Sequence, residues 1–89
     1  MLQNIYTTFA GKGSNISALM YARQLRKAAH TRRFTIHNTG TRGWQVQDEK
    51  DSTIVKSVLY DDWHRVERAK AAFAMEVAML RESGWTETN

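Results

Sequence analysis

The fold is decided by residues 61–85, which read DDWHRVERAKAAFAMEVAMLRESGW. Five apolar residues in this stretch recur at steps of three, four and seven, namely Trp63, Val66, Phe73, Val77 and Leu80. This spacing puts them on one side of an α-helix, as in helices that pack on a core. Asp61 or Asp62 can cap the first turn, and Gly84 can take the left-handed conformation that ends a helix. The stretch therefore predicts a long C-terminal helix.

A second apolar stripe, formed by Ala72, Met75 and Met79, lies on the opposite side of the same predicted helix. Methionine is flexible and polarizable and is common at contact surfaces. A chain of 89 residues builds only one modest core, which cannot cover both sides of the helix. We therefore expect this stripe to be a self-association face.

Three strands are predicted before this helix. Residues 33–37 and 44–47 alternate apolar and polar side chains, with Phe34 and Ile36 on one face of the first strand and Trp44 and Val46 on one face of the second. A third strand is expected from about Thr53 to Tyr60. Residues 38–43 and the charged residues 48–51 are expected to form the two connections. The three segments predict an antiparallel meander.

The N-terminal part predicts a second helix, from a cap at Ser14 or Asn15 to about Ala29. Its apolar side would be formed by Ala18, Tyr21, Ala22, Leu25, Ala28 and Ala29. Near its start, Ile16, Leu19 and Met20 lie off that side, which makes them a second candidate self-association patch. Residues 1–13 are expected to be flexible or to contain a short edge strand at residues 4–9.

Together these elements predict an α+β fold in one small domain covering residues 1–89. Its expected order is α-β-β-β-α, with a three-stranded antiparallel β-meander flanked by an N-terminal helix and a long C-terminal helix.

Charge is unevenly distributed along the chain. The whole sequence carries 13 basic and nine acidic residues, a formal net charge of +4, but residues 1–44 contain no acid at all. The basic residues of this half are Lys12, Arg23, Arg26, Lys27, Arg32, Arg33 and Arg42. Such asymmetry indicates contact with a polyanion or docking of the basic half on an acidic surface of its own chain or of another, and a solvated helix face is the alternative interpretation. These seven residues are the candidate polyanion-binding set.

The sequence offers little for catalysis, and we expect no catalytic, cofactor-binding or metal-binding residues. His64 and Glu67 stand one turn apart beside Asp62, but no second His follows at the spacing of a helical metal site. Residues 11–14 read GKGS but lack the spacing of a phosphate-binding loop. Since there is no cysteine, disulfides and thiolate chemistry are excluded, and a reducing compartment, the cytoplasm, is expected.

The stretch from Trp44 to Trp85, which includes the run DWHRVERA at residues 62–69 and the Gly84-Trp85 pair, resembles small uncharacterised bacterial proteins that combine a hairpin with such a helix. This resemblance implies no known activity. The same stretch resembles, more distantly, the end of WGR domains, where strands lead into a helix that closes on a glycine–aromatic pair. Arg42-Gly43-Trp44 reverses the order of that family's signature, so its nucleic-acid binding is not carried over.

The sequence thus predicts a non-enzymatic interaction module that self-associates, most simply as a homodimer, without contacting a membrane. The alternative is a nucleic-acid-binding protein that uses its basic N-terminal half, and an acidic protein would be a further partner for the same surface.

Overall fold

The computed structural model describes residues 18–88, which form one antiparallel sheet and one helix. The five strands are β1 (Ala18–Lys27), β2 (His30–Asn38), β3 (Trp44–Lys50), β4 (Thr53–Tyr60) and β5 (Thr86–Thr88), and the helix is α1 (Trp63–Glu82). A short 3-10 turn at Gly40–Arg42 separates β2 from β3.

The strands lie in the order β4-β3-β2-β1-β5. The first four form a meander of successive neighbours, after which α1 returns along the sheet so that β5 can pair antiparallel to β1. β4 and β5 are therefore the two edges of the sheet.

The predicted N-terminal helix is wrong for the described part of the chain, and with it the predicted order α-β-β-β-α. The predicted three-stranded meander is also wrong, because the sheet has five strands. Residues 18–27 are strand β1, which continues through a two-residue turn at Ala28 and Ala29 into β2. Tyr21 and Leu25 lie four residues apart, a spacing that shares a face in a strand as well as in a helix. Pairing of β1 with both β2 and β5 overrides the local helix propensity.

Several N-terminal predictions lie outside the described residues. These are the cap at Ser14 or Asn15, the strand at residues 4–9, and the site candidates Lys12 and Ile16.

The three predicted middle strands and the C-terminal helix are confirmed. The first two strands extend beyond their predicted ends, and the second connection is shorter than residues 48–51. Only Asp51 and Ser52 form the turn, with positive φ angles of 51° and 68°. This pair of angles gives the tight hairpin turn that suits the twist of two antiparallel strands, so Asp48, Glu49 and Lys50 remain in β3.

The ends of α1 are built as predicted. Asp62 caps the helix, because its Oδ1 accepts a hydrogen bond from the backbone N–H of His64 at 2.9 Å. Gly84 has a φ of 99°, and the backbone N–H of Trp85 donates to the carbonyl oxygen of Leu80 at 3.0 Å. This return of the chain leads directly into β5, which the sequence did not predict.

The core lies between α1 and one face of the sheet. Its buried side chains are Leu25, Phe34, Ile36, Val46, Val66 and Val77. Phe73 of α1 packs against both halves of this set, 4.8 Å from Phe34 between ring centroids. Full burial of such a side chain contributes about 1.5–3 kcal/mol, so this layer accounts for much of the attachment of α1 to the sheet.

The other face of the sheet carries mainly polar side chains. Gln45 and Gln47 of β3 both donate to the hydroxyl of Ser57 on β4, at 2.6 and 3.3 Å. Beside them, Arg33 of β2 pairs with Glu49 of β3 at 3.6 Å. No element among residues 18–88 covers this face in the way that α1 covers the other.

Candidate functional site

The side of α1 that faces away from the sheet is the most apolar part of the helix surface that packs on no other described element. Only Val66, Ala69, Phe73, Val77 and Leu80 are buried or half-buried among its 20 residues. These five form one narrow contact line along the sheet, and every other residue of α1 is exposed.

Met75 and Met79 stand on this outward side with 68% and 62% of their surface exposed. Three exposed alanines, Ala71, Ala72 and Ala78, lie beside them. Small side chains let a second backbone approach closely, and methionine adapts its shape to whatever packs on it. We call the surface formed by these five residues the outer stripe.

Two opposite charges stand at the ends of the outer stripe. Arg68 lies seven residues before Met75, and Glu82 lies seven residues after it. Both are exposed, and neither takes part in an ion pair among residues 18–88. Since seven residues are close to two helical turns, both charges lie on the same side of α1 as Met75.

The second predicted patch is not joined to the outer stripe. Leu19 and Met20 lie at the start of β1 and are 51% and 49% exposed. Leu19 pairs with His37, which projects to the sheet face opposite α1. The structure therefore places the two sets of self-association candidates on different surfaces.

The described candidate cations for polyanion binding are divided between the two faces of the sheet. Arg23, Lys27 and Arg32 lie on the α1 side, Arg26 and Arg33 lie on the opposite face, and Arg42 lies in the 3-10 turn. They do not form one continuous strip.

Besides Arg33, which pairs with Glu49, three of these cations have partners from other parts of the chain. Arg23 forms a bidentate pair with Glu87, one arm of which spans 2.8 Å, and this bond lowers the pKa of Glu87. Arg32 donates to both carboxylate oxygens of Asp48 at 3.2 Å. Lys27 instead donates to the carbonyl oxygen of Ser83 at 2.6 Å, at the negative end of α1. Much of the basic charge of the first half is therefore balanced within the fold.

His37 lies in the polar face of the sheet beside Arg33. Burial lowers its pKa, and the charge of Arg33 lowers it further. The neutral imidazole is therefore favoured in the folded chain.

The residues weighed for catalysis remain at the start of α1. His64 and Glu67 are exposed, and Asp62 is occupied as the helix cap. Within residues 18–88, no three His, Asp or Glu side chains come together as a metal site.

A groove that the sequence did not predict lies between α1 and the β3–β4 side of the sheet, with a volume of about 400 Å³. Lys56, Arg65 and Arg68 line it. Arg65 and Arg68 share one side of a helix by their spacing, which is a local signal, but Lys56 joins them only through the fold.

Comparison of the chain with protein-family models, with curated proteins and with solved structures finds no match in any of the three. No helix within the described part of the chain is long and apolar enough to cross a membrane. The resemblance of residues 44–85 to small bacterial proteins stays a prediction.

Proposed function

We propose that this protein is a small non-enzymatic interaction module, acting in the cytoplasm, that forms a homodimer through the outer stripe of α1. The observation that carries the proposal is the exposure of Met75 and Met79 on the alanine-rich side of a helix whose opposite side is already buried. Burial of apolar surface is the main driving force for association, and a contiguous apolar patch on a small domain is typical of an interaction site.

A second copy of the chain fits this surface because the outer stripe is complementary to itself. In an antiparallel pair of helices with a two-fold axis at Met75, each residue meets the residue equally far on the other side of position 75. Arg68 then faces Glu82 of the second copy, and Ala71 faces its Met79. Opposite charges meet at both ends, and a small side chain meets a large one between them.

A parallel pair would lack this match, since Arg68 would face Arg68 and Glu82 would face Glu82. Like charges placed opposite each other disfavour an arrangement. The charge pattern therefore favours the antiparallel dimer.

The edges of the sheet are weaker candidates for self-association. β5 has only three residues, and β4 carries Lys56 in its middle and pairs irregularly with β3 near Asp48 and Glu49. Short strands, edge lysines and bulges are the features by which sheets avoid pairing edge to edge. These features support α1, rather than β4, as the contact element.

Nucleic-acid binding by the basic half ranks below this proposal. Arg23, Arg32 and Arg33 are balanced by acidic partners, and the described candidates lie on both faces of the sheet. An extended phosphate backbone is bound best by unpaired cations that share one surface.

The test is a charge exchange across the proposed interface, followed by light-scattering mass. Arg68→Glu and Glu82→Arg, each alone, put like charges opposite each other in the antiparallel pair and should shift the protein towards the 10.3 kDa monomer. The double variant Arg68→Glu with Glu82→Arg restores opposite charges and should recover the dimer.

Arg26→Glu is the matched control, because it reverses an exposed cation on the sheet face opposite α1. It should leave the mass unchanged. If both single variants keep the mass of the unaltered protein while Met75→Asp also has no effect, the outer stripe is not the contact surface. Circular dichroism on each variant verifies that it is folded.

A further inference from the structure

The groove between α1 and the β3–β4 side of the sheet combines an apolar floor with a cationic rim. Val46, Val58 and Phe73 line its floor and are buried or half-buried. Lys56, Arg65 and Arg68 line it from exposed positions. Its volume of about 400 Å³ is in the range of small-molecule sites, which span about 300–1,000 Å³.

The fold brings the three cations together from two elements. Lys56 pairs in register with Asp48 and therefore projects to the face that α1 covers. Arg65 and Arg68 lie three residues apart in the first half of α1, and both line the groove beside β3 and β4.

The positive charge of the rim has no counterpart within the groove. Among the residues that the structure describes, Asp48 is the only acid that lines it, and both of its carboxylate oxygens accept hydrogen bonds from Arg32 at 3.2 Å. Among the ion pairs of residues 18–88, none includes Lys56, Arg65 or Arg68. A cleft lined by cations without ion-pair partners attracts anions.

We propose that this groove binds a small organic anion that joins phosphate groups to a flat apolar part, of the size of a nucleotide. The phosphates would contact Lys56 and Arg65. The Lys56 ammonium group would attract them as a point charge, and the planar Arg65 guanidinium group would donate hydrogen bonds to their oxygens. The flat part would lie on Val46, Val58 and Phe73. Because the floor and the rim each supply part of the binding, a ligand needs both chemical features.

The groove adjoins the outer stripe at Ala72, which belongs to both, and at Arg68, which lines the groove and stands at one end of the stripe. Lys56 and Arg65 therefore carry the test, since neither belongs to the proposed dimer contact. The light-scattering mass of each variant is measured in parallel, which separates a failure of this inference from a failure of the proposed dimer.

The experiment is isothermal titration of the full chain with adenosine 5′-triphosphate, free of divalent cations, at about 150 mM salt. Adenosine, which lacks the phosphates, and tripolyphosphate, which lacks the flat part, are titrated separately. We expect the nucleotide to bind at least about tenfold more tightly than either, because each part of the ligand uses a different part of the groove. In nuclear magnetic resonance spectra, the nucleotide should shift the methyl signals of Val46 and Val58.

The double variant Lys56→Gln with Arg65→Gln should weaken nucleotide binding by at least about tenfold, as expected for the loss of two charge-assisted contacts. Arg26→Gln is the matched control, because it removes one exposed cation from the opposite face of the sheet. It should change the affinity by less than about twofold.

Three results would overturn the inference. One is the absence of nucleotide binding at millimolar concentration. Another is tripolyphosphate binding as tight as nucleotide binding, which would mean that the floor contributes nothing. The third is an equal loss in Arg26→Gln, which would indicate general attraction of anions to a basic protein. Thermal melts of the variants verify that lost binding is not lost folding.

Discussion

Gly43 is the residue at which the backbone tolerates no side chain. It joins the 3-10 turn to β3 with a φ of 111° and a ψ of −141°, a region occupied essentially by glycine alone. A Cβ at this position would lie 2.1 Å from the carbonyl oxygen of Tyr60, which belongs to the backbone and cannot rotate away.

We expect Gly43→Ala to lower the free energy of unfolding by about 3 kcal/mol, since a steric clash with β4 adds to the backbone strain. Gly84→Ala is the control. Its φ is also positive, but the nearest atom is 3.5 Å away, in the flexible side chain of Lys27. The free energy of unfolding of this variant should be lower by only about 1 kcal/mol. Urea denaturation measures the free energy of unfolding of both variants. An equal decrease in the two would contradict the proposed clash with Tyr60.

The stability of the folded chain is expected to depend on pH through His37. Burial lowers its pKa from the ordinary 6.5, Arg33 lowers it further, and the opposing effect of Glu49 is smaller. The unfolded chain therefore takes up a proton at a higher pH than the folded chain does. The contribution of neutral His37 to stability is complete above about pH 7 and is lost as the pH falls through and below 6.5.

Thermal melts between about pH 7.5 and pH 5.5 should show this loss in the unaltered protein and a smaller loss in His37→Gln. His30 and His64 are present in both proteins, so the difference isolates His37. Identical pH profiles would show that His37 does not couple to folding.

At the scale of elements, α1 has two sides with different roles. Val77 is 2% exposed in the core, whereas Met75, two residues earlier, is 68% exposed. Val77→Ala should lower the free energy of unfolding by about 2 kcal/mol, because it leaves a cavity under the helix, and it should leave the outer stripe intact.

Met75→Asp should weaken association and leave the fold of the chain intact. It places a charge on the outer stripe, so the mass should fall to that of the monomer while the far-ultraviolet circular dichroism is retained. Thermal stability should also stop depending on protein concentration, because dimerisation would no longer add to it. An unchanged mass in Met75→Asp would count against the proposed face of the helix.

The sequence predicts an element correctly where the spacing of its apolar residues fits a helix or a strand, but not both. The stripe of α1 steps by three and four residues, and the middle strands alternate, so both were found. β1 was mispredicted because Tyr21 and Leu25 fit both periods. β5 was missed because its three residues gain their place only by pairing with β1, 60 or more residues earlier in the chain.

In the candidate site, too, the features that depend on local spacing could be predicted and those that depend on distant residues could not. The exposure of Met75 and Met79 follows from the local helical pattern. That this surface is a self-association face stays a prediction. The cationic groove was missed because Lys56 reaches Arg65 and Arg68 only through the return of α1 over β4. Likewise, the partner of Arg23 is Glu87, 64 residues away, so the balance of its charge could not be predicted.

At the scale of the whole molecule, residues 18–88 form one layer of helix on one layer of sheet. The sheet face without a helix is mainly polar, and its two edges are protected by a short strand and by a lysine with a bulge. The two most exposed large apolar side chains of the described residues, Met75 and Met79, lie together on the outer side of α1. Their exposure is the reason for proposing self-association through this side.

The most direct test is the light-scattering mass of the unaltered protein at about 150 mM salt, measured over chain concentrations from about 10 µM to about 0.5 mM. We expect the mass to rise with concentration from the 10.3 kDa of one chain to twice that value and no further, because a two-fold contact closes on itself. A mass that stays at 10.3 kDa throughout would contradict the dimer, and a mass that keeps rising would contradict its closed two-fold geometry.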